Sequence, residues 1–203
     1  QFSEQVKEAL YKQAHKLLYI SKERIIDEMN KILMTDNVDI ALNDLFEYRL
    51  INYFIPELVA LKNIEQDINY HHKDVLQHTI DVVKNAPKDL TLRYSALFHD
   101  LGKISTFSIV NNRIHFYEHE NISALMVSSI LQRLGFSNQM IKDITYLVKS
   151  HMRINLYDKT WSDSAIRRFI NDTGDYCDRL ITLSEADITS HNSKTVQNHL
   201  DCL

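Results

Sequence analysis

Three glycines and two prolines are all that punctuate 203 residues. A chain with so few backbone breakers has little means of making many tight turns, so long helices joined by short loops are expected. The apolar residues agree, recurring at helical spacing nearly throughout. Phe2, Val6, Leu10 and Leu17 form a first stripe. Ser21 reads as an N-cap before Ile25, Met29 and Ile32. Asp36 or Asn37 starts a third helix, with Ile40/Ala41, Leu45 and Phe46 facing inward. In "FIPELVAL" Pro56 stands where a first-turn proline is tolerated. The chain to about residue 68 therefore reads as a small helical array.

Residues 69–203 form a second region. Val75, Thr79, Val82 and Val83 mark a helix that stops before Pro87. Leu92, Ala96 and Leu97 mark the next, which Gly102 is expected to end. "STFSIVNNRIHFY" is the one strand-like stretch, and Asn111-Asn112 suggests the turn of a short hairpin near 105–117. Further helices are expected over about 119–134, stopping at Gly135, from Ser137 to about 151, and over 161–171 and 175–190. The fold class is all-α.

Bulk properties exclude several functions. No apolar run approaches the roughly 18 to 20 residues needed to span a bilayer, and the amphipathic start "QFSEQVKEAL" is no secretory signal. Cys177 and Cys202 make no disulfide framework, so a cytoplasmic setting is expected. The initial glutamine suggests either a segment of a longer protein or a processed start. A net charge of −4, with residues 35–70 clearly acidic, argues against bulk attraction to a phosphate backbone.

The chemistry lies in polar residues on the apolar faces and ends of helices. His78 stands one turn from Val75 and Val82, His99-Asp100 closes the helix of Leu97, and His119 opens the helix of Ile122 and Met126. His151 continues the stripe Ile141, Ile144, Val148, and Asp187 continues Tyr176, Leu180, Leu183. A carboxylate on an apolar face is costly unless paired or bound to a cation. Any one of these histidines alone is more often a hydrogen-bonded core residue, and Asp187 alone could be an internal salt bridge. One common metal centre accounts for all six. Imidazole nitrogens with carboxylate oxygens suit a divalent cation, with Mg, Mn, Ni, Co and Fe not distinguished, and the lack of a cysteine ligand argues against structural zinc.

The ordered set His78, His99-Asp100, His119, His151, Asp187, with "FHDLGK" at its centre, resembles the signature of the HD phosphohydrolase superfamily. "SKERIIDEMNKIL", "FIPELVAL", "YHHKDVLQHT", "FYEHE" and "EADITSHN" also resemble bacterial CCA-adding tRNA nucleotidyltransferases that carry an HD domain, over essentially the whole chain. The resemblance implies neck and body helices over 1–68 and an HD domain over 69–203. Nothing here resembles that family's glycine-rich nucleotide loop or paired aspartates, so this chain by itself is not expected to add CCA.

By the same resemblance, His78, His99, Asp100 and Asp187 hold one metal ion. His119 and His151 support a second, with Asp100 bridging. The implied activity is hydrolysis of phosphomonoesters, 2′,3′-cyclic nucleotides or RNA ends, with Asp100 and Lys103 as the catalytic pair. Lys103 could reach a substrate phosphate or be a solvated helix-end lysine. His72 is either a substrate contact or a helix-start residue. Arg153 is a candidate for meeting an anionic substrate; Arg167 and Arg168 could do the same or, as is more expected, pair with Asp163 and Asp172. The alternative is a non-catalytic module that holds tRNA for a nucleotidyltransferase head. Neither reading fixes the oligomeric state.

Overall fold

The computed structural model describes residues 2–62, 64, 74–154 and 161–188. Three helices come first: α1 (Glu4–Gln13), α2 (Lys22–Leu33) and α3 (Val38–Glu47). α1 passes directly into a 3-10 helix over Ala14–Tyr19, and further 3-10 turns span Ile51–Tyr53 and Pro56–Leu61, the last with Pro56 in its first turn. Then follow α4 (Val75–Asn85), α5 (Leu90–Phe98), the short α6 (Lys103–Thr106), strands β1 (Phe107–Val110) and β2 (Arg113–Phe116), α7 (His119–Leu134), α8 (Asn138–Ile154), α9 (Asp163–Thr173) and α10 (Cys177–Ile188). Among the described residues the class is all-α with one hairpin, as expected. No helix among the described residues is long and apolar enough to cross a membrane.

Local chemistry accounts for most boundaries. The Asp74 and Asp89 carboxylates accept from the amides of Gln77 and Leu92, and the Ser162 hydroxyl from that of Ala165, capping α4, α5 and α9. Gly135, at φ 87°, ends α7 in the left-handed conformation that glycine tolerates, its amide donating to the Leu131 carbonyl. Asn111 and Asn112 both have positive φ, 50° and 59°, the geometry of the two-residue turn whose twist matches a hairpin. That turn sets the antiparallel register Phe107↔Phe116, Ser108↔His115, Ile109↔Ile114.

Two inward faces differ from the periodic reading. α3 buries Val38, Leu42 and Leu45 and leaves Ile40 60% exposed, so its buried face is rotated from the expected one. α1 buries no residue, and Phe2 and Val6 stay about half exposed. An apolar cleft of about 620 Å³ remains between α1 and α2, with Leu10, Leu17, Ile25 and Met29 in its walls.

Buried residues of α2 and α3 join those of α4, α5, α7, α8 and α10 in one core. Arg93 connects these parts. It lies on α5, only 4% exposed. Its guanidinium donates to the carbonyls of Ala86 (3.2 Å), Thr35 (2.9 Å) and Leu33. The bond to Leu33 pairs a buried carbonyl at the end of α2, where no further helical turn can supply a donor. Arg93→Met keeps the bulk and removes the donors, and it is expected to cost about 3 kcal/mol, since hydrogen bonds from a charged donor contribute roughly 1.5–3 kcal/mol each and lose part of that to desolvation. Urea unfolding checks it: a lowered midpoint with an unchanged slope is the expected result.

Candidate metal centre

Five helices deliver the six polar residues to one place. His78 comes from the middle of α4, and His99 and Asp100 from the end of α5. His119 is the first residue of α7, while His151 and Asp187 lie in the last turns of α8 and α10. All are buried except Asp187, whose side chain is 13% exposed.

Asp100 is the hub. Its Oδ1 lies 3.3 Å from His119 Nε2, and its Oδ2 lies 3.2 Å from His99 Nε2 and 3.5 Å from His78 Nε2. Asp187 Oδ1 lies 3.0 Å from His78 Nε2 and 3.9 Å from His99 Nε2. The ligand atoms fall into two groups, His78/His99/Asp187 and Asp100/His119/His151, each with its atoms within 4.8 Å of one another.

The hydrogen bonds fix which nitrogens face inward. Nδ1 of His99, His119 and His151 donates to the carbonyls of Ala96 (2.7 Å), Phe116 (2.9 Å) and Val148 (2.7 Å), each three residues earlier in sequence. With Nδ1 protonated, a neutral ring presents a bare Nε2. His119 and His151 then point their Nε2 lone pairs at one another across 3.3 Å. Two such lone pairs repel unless a proton or a cation lies between them. Burial, together with the neighbouring His99, pushes His151 down to about 4, overcoming the opposite pull of Asp100 and the Val148 carbonyl, so that ring is neutral at ordinary pH. The donor set therefore fits a divalent cation.

The carboxylates are held ready for that role. Burial would raise both, yet His99, Lys103 and His119 hold Asp100 well below the usual carboxylate range. His78 and His99 do the same for Asp187 against the same burial. At His99, burial opposes the charge but the two carboxylates win and raise it.

The other expected residues are placed as follows. Lys103 Nζ lies 2.7 Å from Asp100 Oδ2, at the rim of the centre with its side chain 11% exposed, so it is not a solvated helix-end lysine. Arg153 leaves α8 toward α9, where it pairs with Asp172 at 3.1 Å and lies over the Phe169 ring. Asp172 is thus taken by Arg153 and not by Arg168, a correction that follows from side chains of α8, Tyr146 and Arg153, both reaching Asp172. His72 lies outside the described residues.

Gly102 has φ −64° and does not end a helix in the left-handed conformation. Amide bonds to carbonyls three residues back, Leu101 to Phe98 and Lys103 to Asp100, carry the chain out of α5. The requirement for glycine is steric: a Cβ there would lie 2.1 Å from the His119 carbonyl oxygen. Its amide donates to Ser123 Oγ at 2.7 Å, so Gly102 and Ser123 dock the start of α7 against the His-Asp pair. Sequence reasoning missed Ser123; its one signal is a hydroxyl on the apolar face of α7, four residues after His119.

Known proteins are similar to this arrangement in sequence. The family model described as "HD domain" matches residues 69–191, and the one described as "Probable RNA and SrmB- binding site of polymerase A" matches residues 1–61. An A-adding tRNA nucleotidyltransferase of Deinococcus radiodurans is 28% identical over 86% of this chain and 41% of its own length. A CC-adding tRNA nucleotidyltransferase of Thermus thermophilus is 29% identical over 88% of this chain and 42% of its own. A multifunctional CCA protein of Acinetobacter baylyi is 30% identical over 70% of this chain and 35% of its own. The chain thus spans about two fifths of the length of the first two relatives.

Proposed function

Because this chain belongs to the HD domain family, we propose that it is the metal-dependent phosphohydrolase portion of a tRNA nucleotidyltransferase-type protein, acting on phosphomonoesters, 2′,3′-cyclic nucleotides or RNA-end phosphates. The observation that carries this reading is the convergence of four histidines and two aspartates, from five helices, on two adjoining ligand groups.

A divalent ion bound there would supply hydroxide near neutral pH and neutralise phosphate oxygens. The protein's own residues do the rest. His78, His99 and Asp187 would hold one ion, and His119 and His151 with Asp100 would hold another. Asp100 turns one oxygen to each group, the arrangement of a bridging carboxylate. The carbonyls of Ala96, Phe116 and Val148 orient three of the rings. Lys103 holds its ammonium beside Asp100, where it would donate to a substrate phosphate as a point charge. The four histidines and Asp100 are buried, whereas Lys103 and Asp187 keep some exposure, so a substrate would meet the centre at those two residues.

The test is hydrolysis of 2′,3′-cyclic AMP and of a phosphomonoester with Mg²⁺, Mn²⁺, Ni²⁺ or Co²⁺ added to metal-stripped protein. Metal-dependent turnover supports the reading, and no turnover with any of the four ions contradicts it. Asp187→Asn keeps the shape and weakens the ligand, so elemental analysis should show at least about tenfold weaker metal binding, the lower range for perturbing a metal's immediate surroundings. Unchanged occupancy would remove Asp187 from the ligand set.

The match of residues 1–61 to an RNA-binding family model favours a second, compatible role. In that role the helices of the first region hold tRNA through a few placed residues, because the chain's net charge is negative. Gel-shift titration of tRNA should then give the same affinity for the parent and for Asp187→Asn.

A further inference from the structure

The hairpin beside the centre has one apolar face and one largely polar face. The register places Phe107 opposite Phe116 and Ile109 opposite Ile114, so all four share a face. The other face carries Ser108, Val110, Arg113 and His115. On the apolar face the two phenyl rings meet edge to face at 5.9 Å, yet Phe107 is 46% exposed and Ile109 is 59% exposed. Apolar residues grouped in water beside a polar centre are a recognition surface in search of an occupant.

Position identifies the occupant. Lys103 Nζ sits 5.1 Å from the centre of the Phe116 ring and 2.7 Å from Asp100 Oδ2. One ammonium therefore touches both the metal-binding carboxylate and the apolar face. The Phe116 carbonyl orients His119, which ties β2 directly to the centre. A phosphate beside Lys103 would have its own sugar and base at the hairpin.

We propose that the Phe107–Phe116 face of the hairpin is a stacking platform for the base of a nucleotide whose phosphate occupies the HD centre. This rests on the phosphohydrolase reading and narrows its substrates to nucleotides and RNA ends over base-free phosphate esters. A phenyl platform reads no hydrogen-bonding edge, so it accepts any of the four bases. Ile109 and Ile114 extend the face toward the turn, where a second base of an RNA end would lie.

The test is calorimetric binding of AMP and of ribose 5-phosphate, which carries the same phosphate without a base, to protein loaded with Mn²⁺. The parent is expected to bind AMP about tenfold more tightly, the order found for one base–aromatic stack. Phe107→Ser, at a half-exposed position, should bring the ratio close to one, and Phe107→Tyr should restore it. Equal binding of the two ligands by the parent overturns the proposal, as does no binding of AMP or a ratio that Phe107→Ser leaves intact. Hydrolysis without base preference would refute the platform and leave the phosphohydrolase reading standing. A Phe107-dependent preference for AMP without hydrolysis would do the reverse.

Discussion

Asp100→Ala protein is expected to retain no divalent metal after gel filtration and to hydrolyse 2′,3′-cyclic AMP at least about a hundredfold more slowly than the parent. Groups that merely support metal ligands cost roughly 10- to 100-fold when removed, and Asp100 faces both ligand groups directly. Its loss also leaves Lys103 and His119 beside a hole where their nearest carboxylate stood, with Asp187 the remaining counter-charge at His99. Asp100→Asn separates the two effects, since it refills the hole without restoring the charge. Both variants should fail to hold metal, with the asparagine form the more stable in urea. If Asp100→Ala kept its metal, the shared carboxylate would have no part in the site.

Gly102→Ala is expected to cost about 3 kcal/mol or more and to weaken metal binding in the same protein. A methyl group placed 2.1 Å from the His119 carbonyl oxygen and 2.8 Å from the Ser123 amide nitrogen meets backbone, which cannot rotate away as a side chain would. Overpacking of this kind costs typically 1–3 kcal/mol where neighbours can shift, and here the neighbour is the first turn of α7. That turn carries His119, so the strain is relieved by moving His119 away from Asp100 and His151. Urea unfolding and manganese titration on the same sample check the pairing of the two losses. Full stability in Gly102→Ala would show that α7 does not pack as closely as described.

Much of this could be read from the chain because its signals are local. Asn111-Asn112, Gly135, Ser137 and Pro56 each set a backbone conformation through their own chemistry, and each lies where the pattern predicts. The six clustered histidines and aspartates stand out in the sequence because a polar group on an apolar stripe must have a reason. What escaped depends on distant partners. Gly102 looked like a helix terminator, and only the approach of α7 shows that its missing side chain is what matters. Arg93 sits in a run of buried residues, and nothing in "TLRYSALF" reveals that its partners are the carbonyls of Leu33 and Thr35. Ile40 and Leu42 both suit an inward face, and packing against α4 chose Leu42. The inward direction of the imidazoles was equally hidden, because it depends on carbonyls that every residue possesses.

The central claim is that the His-Asp cluster is a metal site and not a self-contained polar core. Calorimetric titration of metal-stripped protein with Mn²⁺ tests it most directly. Saturable uptake of at least one ion per chain is the expected result, confirmed by elemental analysis after gel filtration. Protein that takes up no Mn²⁺, and none of Mg²⁺, Co²⁺ or Ni²⁺ in parallel titrations, would contradict it.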